Sequence, residues 1–136
     1  MTKTPFSPEI YRVIDANLNR LKEGIRVIED IMRYRDNNKK HASQLKTLRH
    51  RARINETVAL LQNRDSINDV LRSSTKSEQN RSDILSILTA NFKRAEESAR
   101  VLEEMLKLDD IEISENFKTI RYELYNLEKE IILNEQ

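Results

Sequence analysis

Two stretches of the chain, 74 residues apart, carry the same residue pattern. Residues 16–29 read ANLNRLKEGIRVIE and residues 90–103 read ANFKRAEESARVLE. Further along, LKTLRH at residues 45–50 matches FKTIRY at residues 117–122 in the same order. Repeats of this kind indicate a unit that cannot bury its apolar face alone. We therefore expect the chain to fold around two copies of one helical hairpin.

The apolar residues of both copies are spaced for helices. They recur at steps of four and three, which places them on one helix face. The predicted helices run, in order, from the start signal Ser7-Pro8 to about Arg35, from about His41 to Gln62, from Ser77 or Ser82 to Lys107, and onward from the cap Ser114. Their apolar stripes are Ile14, Leu18, Leu21, Ile25, Ile28 and Met32; Leu45, Leu48, Ala52, Val58 and Leu61; Leu88, Phe92, Ala95, Ala99, Leu102 and Leu106; and Phe117, Ile120, Leu124, Leu127 and Ile131.

Composition supports an all-α fold. The 136 residues include one glycine and two prolines, too few for the turns of an all-β protein or for a glycine-rich phosphate loop. We predict a four-helix bundle in which the duplicated hairpins are related by a pseudo-two-fold axis. The single domain spans residues 1–136, with a first half at about 8–63, a connector at 64–80 and a second half at about 81–134.

Charge and motif content exclude several function classes. Lys and Arg number 24 against 23 Asp and Glu, without the basic excess typical of nucleic-acid binders. No apolar run is long enough for a membrane span or a signal peptide, so we expect a cytoplasmic protein. There is no cysteine, and neither His41 nor His50 follows a glutamate at the Glu-x-x-His spacing of di-iron bundles. We expect no metal site and no cofactor.

The repeated polar residues have two interpretations. Asn17 and Arg20, like Asn91 and Arg94, lie on a stripe beside the apolar face, next to the small residues Gly24 and Ser98. In the structural interpretation the asparagines bond backbone or loop groups, and the arginines pair with carboxylates of the opposite hairpin. Further ion pairs are expected along the helices among Glu23, Arg26 and Glu29, and among Glu97, Arg100 and Glu103.

In the second interpretation the stripe lines a cleft for an anionic ligand. Arginine's planar guanidinium suits phosphate and carboxylate groups. The candidate ligand-binding residues are Asn17, Arg20, Arg49, Arg64, Asn91, Arg94, Arg121 and Tyr122, the last able to stack or to donate a hydrogen bond. No catalytic residue is predicted.

The sequence resembles the helical domain at the N-terminus of some bacterial thiamine-phosphate synthases (thiamine-phosphate pyrophosphorylases). The resemblance spans about residues 11–130 and is carried by residues 12–20, 23–30, 48–50, 64–65, 69–70, 90–91, 94, 100–104 and 121–122. In those fused proteins a barrel joins a pyrimidine diphosphate to a thiazole phosphate. The resemblance implies that the phosphate, magnesium and substrate ligands belong to that barrel, so we expect a stand-alone helical chain without its catalytic residues.

Three functions follow as hypotheses. The first is an accessory domain that binds a phosphorylated thiamine-pathway molecule or a separate synthase barrel. The second is a structural or oligomerisation module, with a homodimer as one form and no small ligand. The third is an enzyme that uses Glu23, Glu29, Glu97 and Glu103 for acid–base chemistry, which the nearby arginines disfavour because they favour ordinary ion pairing.

Overall fold

The computed structural model describes residues 6–135, apart from the side chain of Ser77, and over these residues the protein is all-helical. This confirms the predicted fold class. The helices are α1 (Pro8–Asp30), α2 (Lys39–Arg51), α3 (Thr57–Asn63), α4 (Lys76–Gln79), α5 (Ile84–Leu106) and α6 (Ile111–Asn134). A single π-helical turn, Ile31–Arg35, extends α1 to the predicted end of the first helix. No helix in this range is long and apolar enough to cross a membrane.

The prediction of one continuous second helix is wrong. The structure ends α2 at Arg51 and restarts the helix at Thr57, because the apolar spacing breaks after the buried Ala52. The side chain of Asn116 donates a hydrogen bond to the freed carbonyl of Arg51 at 3.0 Å. The restart also changes which face is buried. Leu60 packs into the core, whereas the predicted stripe residues Val58 and Leu61 are 68% and 53% exposed.

The predicted cap of the last helix is also wrong. Asp110, not Ser114, caps α6 by accepting hydrogen bonds from the backbone of Glu112 and Ile113. Ser114 is buried in the first turn, and its hydroxyl donates to the carbonyl oxygen of Glu103 at 2.8 Å. Aspartate and serine are both good caps, and the earlier one begins the helix a turn sooner.

The four long stripes form one core. Every stripe residue of α1, α5 and α6 that the sequence predicts is buried. Helix α1 packs against α5, α2 and α3, and α6 packs against α5 and α2. His41 near the start of α2 pairs with Glu130 and Arg51 at its end pairs with Glu123, so α2 runs antiparallel to α6. Such a packing suits two helical hairpins, and the pseudo-two-fold relation between them stays a prediction.

Gly24 lies on the face of α1 that packs against α5. A Cβ atom placed on Gly24 would lie 3.1 Å from the carbonyl oxygen of Asn91 and 3.4 Å from the Cβ of Ala95. The first distance is to the backbone of a helix, which cannot easily move away. The absence of a side chain at Gly24 therefore lets the α5 backbone come close to α1 at this position.

Replacing Gly24 with valine should lower the free energy of unfolding by about 1–3 kcal/mol, because the added atoms must push α5 away. The measurement is urea denaturation followed by circular dichroism. Glu23→Val, at the adjacent exposed position of α1, is the matched control for the helix propensity of valine. Equal loss of stability in both variants would contradict close packing at Gly24.

Candidate functional site

The two repeated asparagines make the same contact in both halves. The Nδ2 group of Asn17 donates to the carbonyl oxygen of Val13 at 2.9 Å, and that of Asn91 donates to Ile87 at 2.8 Å. Each bond joins an asparagine to the residue four positions earlier in its own helix. Backbone groups are therefore the partners of both asparagines, as the structural interpretation expects.

A buried arginine–glutamate pair joins the two helices of each hairpin. Arg49 on α2 donates to both carboxylate oxygens of Glu29, at 2.7 and 3.2 Å. Arg121 on α6 donates through two nitrogens to Glu103, at 3.3 and 2.8 Å. The glutamates are only 1% and 4% exposed. The bond to Glu29 raises the pKa of Arg49, and bonds to Tyr125 and Glu103 raise the pKa of Arg121. Both arginines remain charged.

Arg64 is held in the same way by a residue that sequence analysis missed. Its guanidinium donates to both oxygens of Asp15 on α1, each at 2.7 Å, and Asp15 is 5% exposed. This bond is the main cause of the raised pKa of Arg64. The pair fixes the start of the connector against α1. The sequence feature that could have revealed this pair is a carboxylate between the core residues Ile14 and Leu18, because a charge at such a position needs a partner.

The predicted ion pairs along the helices form in part. Arg100 bonds Glu103 at 3.3 Å and Glu104 at 2.9 Å. Arg26 pairs with Asp30 at 3.2 Å instead of Glu23 or Glu29. Neither Glu23 nor Glu97 makes an ion pair within residues 6–135, and both are exposed.

Arg20 and Arg94 differ from the other predicted arginines because both are exposed and neither forms an ion pair with a described residue. They do not make the cross-hairpin pairs that the structural interpretation expects. Arg20 lies in an open groove of about 910 Å³ along α1, here called the α1 groove. Its predicted site residues are Asn17, Arg20 and Arg64, and its other charged residues are Glu9, Arg12, Asp15, Glu23, Asp65 and Asp69.

A second hollow adjoins this groove near the end of α2. It has a volume of about 360 Å³ and is lined by Lys22, Arg49, His50 and Arg53, a set called here the basic cleft. Between the two lies a smaller hollow that shares Lys22 and Arg53 with the cleft and Arg64 with the groove. Four of the eight predicted ligand residues thus lie along one side of α1. Sequence analysis missed Lys22 and Arg53 as lining residues.

The other predicted residues lie elsewhere. Asn91, Arg94, Arg121 and Tyr122 do not line the α1 groove or the basic cleft. Tyr122 is 53% exposed, with the guanidinium carbon of Arg121 5.0 Å from its ring centre. It packs edge-on against Tyr125. These contacts lie within the protein, and stacking of Tyr122 on a ligand stays a prediction.

Glu96 is a buried carboxyl group with an unsatisfied oxygen. It is 3% exposed, and its Oε2 has no hydrogen-bond partner within the described residues. Lys93 lies 3.5 Å from its other oxygen and 3.2 Å from Glu128. Burial, reinforced by Glu128, raises the pKa of Glu96 to about 8 against the opposing effect of Lys93. Glu96 is therefore mainly protonated at neutral pH.

Comparison with known proteins places this helical arrangement in a family. The model of the ThiD2 family matches residues 12–130. The chain belongs to the ThiD2 family. It is also 40% identical over 124 residues to a thiamine-phosphate synthase of Nostoc punctiforme, a match covering 90% of this chain and 35% of that protein. For a thiamine-phosphate synthase of Prochlorococcus marinus strain AS9601 the identity is 36%, covering 96% and 38%. These relatives confirm the resemblance, and the chain spans little more than a third of their length. No solved structure matches significantly.

In this ThiD2-family chain, truncating either buried glutamate should cause a large loss of stability. Glu29→Ala or Glu103→Ala leaves an arginine without its carboxylate, and each should lower the free energy of unfolding by about 3–5 kcal/mol. Chemical denaturation measures the loss. The exposed Glu97→Ala is the control and should change stability by less than about 0.5 kcal/mol. Similar small losses in all three would show that these pairs do not hold the hairpins together.

The stability of this family member should also depend on pH through Glu96. Because its pKa is higher in the folded protein than its ordinary value of 4.5, the folded state binds this proton more tightly. The resulting stabilisation is complete below about pH 4.5 and is lost as pH rises through about 8. Urea denaturation from pH 5 to 8.5 should show a smaller pH dependence in Glu96→Gln than in the unmodified chain. Glu97→Gln, the exposed neighbour, should keep the full dependence, and a Glu96→Gln curve parallel to the unmodified one would refute the prediction.

Proposed function

We propose that the chain is an accessory helical domain of thiamine biosynthesis, which binds a phosphorylated pathway molecule along the open side of α1. Its similarity to thiamine-phosphate synthases over about 90% of its length supports the pathway. The observation that carries the binding proposal is the exposed, unpaired guanidinium of Arg20, which lies in the same groove as Arg64. Guanidinium groups that are not committed to the fold are available for a ligand.

The α1 groove is partly organised before any ligand arrives. Asp15 holds Arg64 through two short bonds, so little side-chain freedom is lost on binding. Asn17 uses its Nδ2 group on Val13 and keeps its Oδ1 as an acceptor facing no described donor. The groove therefore offers both donors and acceptors. The arginine donors suit a phosphate and the ring nitrogens of a pyrimidine or thiazole, which accept hydrogen bonds, and the Asn17 acceptor suits an N–H or O–H substituent on the ring.

A thermal-shift series tests this proposal with the pyrimidine diphosphate, thiazole phosphate, thiamine phosphate, thiamine diphosphate and pyrophosphate. A ligand at about 100 times its Kd should stabilise the chain by about 2.7 kcal/mol, a rise of several degrees in Tm. Arg20→Ala should reduce the shift given by the preferred ligand. Arg94→Ala removes the matching exposed arginine of the second half and should leave that shift unchanged. The proposal would be overturned if none of the pathway molecules raised Tm more than pyrophosphate does.

A structural role is the second candidate, and the commitment of Arg49, Arg64 and Arg121 to carboxylates favours it. In that role the repeated polar residues fix the register of two hairpins, and the surface binds a second copy or a thiamine-phosphate synthase barrel. Light scattering of the chain, alone and mixed with a purified synthase barrel, distinguishes this role from ligand binding. A monomer at high concentration that forms no complex would exclude it.

A further inference from the structure

The basic cleft is unusual in this evenly charged chain. Its four lining residues, Lys22, Arg49, His50 and Arg53, are all basic, and no carboxylate lines it. By contrast, the α1 groove has five carboxylates beside its three arginines. A phosphate group would meet net negative charge in the groove and net positive charge in the cleft. The two hollows therefore differ in the sign of the net charge that they present to a ligand.

Little in the fold uses the cations of this cleft. The side chains of Lys22, His50 and Arg53 form no hydrogen bond or ion pair with any residue in the range 6–135. Arg49 is fixed by Glu29 through Nε and Nη2, which leaves its Nη1 group without a partner. Gathering uncompensated cations destabilises a compact protein through repulsion. Their convergence is better explained by a ligand than by folding.

The second half of the chain provides an internal comparison. The alignment of the two repeats pairs Lys22 with Glu96, Arg49 with Arg121 and His50 with Tyr122. The same numbering offset, continued past the end of α2 at Arg51, pairs Arg53 with Tyr125, which lies within α6. Only the arginine that bonds the buried glutamate is common to both halves.

At the matching positions, the side chains of the second half contact one another, whereas Lys22 and Arg53 of the first half bond no residue in the range 6–135. Tyr125 accepts a hydrogen bond from Nη1 of Arg121 at 3.2 Å, the nitrogen that is unused in Arg49. Tyr122 packs edge-on against Tyr125, with ring centres 5.7 Å apart. A hairpin of this kind thus folds with two tyrosines and a carboxyl group at these positions. Lys22, His50 and Arg53 of the first half are therefore not required by the hairpin.

We propose that the basic cleft binds the phosphate end of a phosphate monoester or diphosphate. Arg49 donates from Nη1 in a direction fixed by Glu29, and Lys22 and Arg53 close around the anion. The hollow that connects the cleft to the α1 groove leaves room for the remainder of the ligand, past Arg64. The identity of the remainder of the ligand rests on the proposed function. The anion site itself does not depend on that function.

Inorganic pyrophosphate is the probe, titrated calorimetrically into the full chain at low ionic strength. Lys22→Gln and Arg53→Gln each remove one cation that has no structural partner, so both variants should fold with an unchanged Tm. Each should weaken pyrophosphate binding by about tenfold or more, since a hydrogen bond to a charged group contributes about 1.5–3 kcal/mol. Arg94→Gln, an equal loss of charge at an exposed position outside the cleft, should change the affinity less than twofold.

The outcomes separate this inference from the proposed function. Failure of the unmodified chain to bind pyrophosphate, or equal weakening by Arg94→Gln, would overturn the anion site. Pyrophosphate binding that depends on Lys22 and Arg53, without preference for any thiamine-pathway phosphate, would support the cleft and reject the proposed function. Tight binding of a pathway phosphate that is unaffected by Lys22→Gln and Arg53→Gln would reject the cleft and keep the proposed function.

Discussion

The close apolar contact between α1 and α5 is the constraint on which the rest of the molecule depends. Each hairpin has an apolar stripe that it cannot cover by itself, and the two stripes are buried against each other. Gly24 allows the helices to approach until a Cβ would nearly touch the α5 backbone. Once these two helices are fixed, α2 and α6 have only the outer sides of the same core to occupy.

Polar pairs then fix how the outer helices sit on that core. Apolar burial is non-directional, whereas a buried carboxylate is stable only where a guanidinium meets it. Glu29 with Arg49 and Glu103 with Arg121 supply this condition once in each hairpin. Asp15 with Arg64 repeats it at the start of the connector. The arginines used in this way mainly hold the helices together. The donor atoms that they leave unused, and the unpaired side chains beside them, are available to a ligand.

The two halves have diverged around this shared scaffold. The first half gathers free cations beside its arginine, and the second half closes the matching place with Tyr122 and Tyr125. Sequence comparison emphasised what the halves share, namely the asparagines, arginines and glutamates. Those shared residues are largely structural, apart from the exposed Arg20 and Arg94. The positions where the halves differ, such as Lys22 and Glu96, are further candidates for a function, and the same alignment already contained a signal for them.

The sequence by itself determined the helices and their buried faces. The stripes of α1, α5 and α6 are correct residue for residue because helical periodicity depends on spacing along the chain alone. The predicted cap of α6 was wrong because Asp110 and Ser114 are both good capping residues. The predicted end of the second helix was wrong because the apolar spacing is lost after Ala52. Only the tertiary structure decided that Arg64 meets Asp15 and that Arg20 meets no carboxylate of residues 6–135. Those partners come from different helices, and their register is set by core packing rather than by any spacing within one helix.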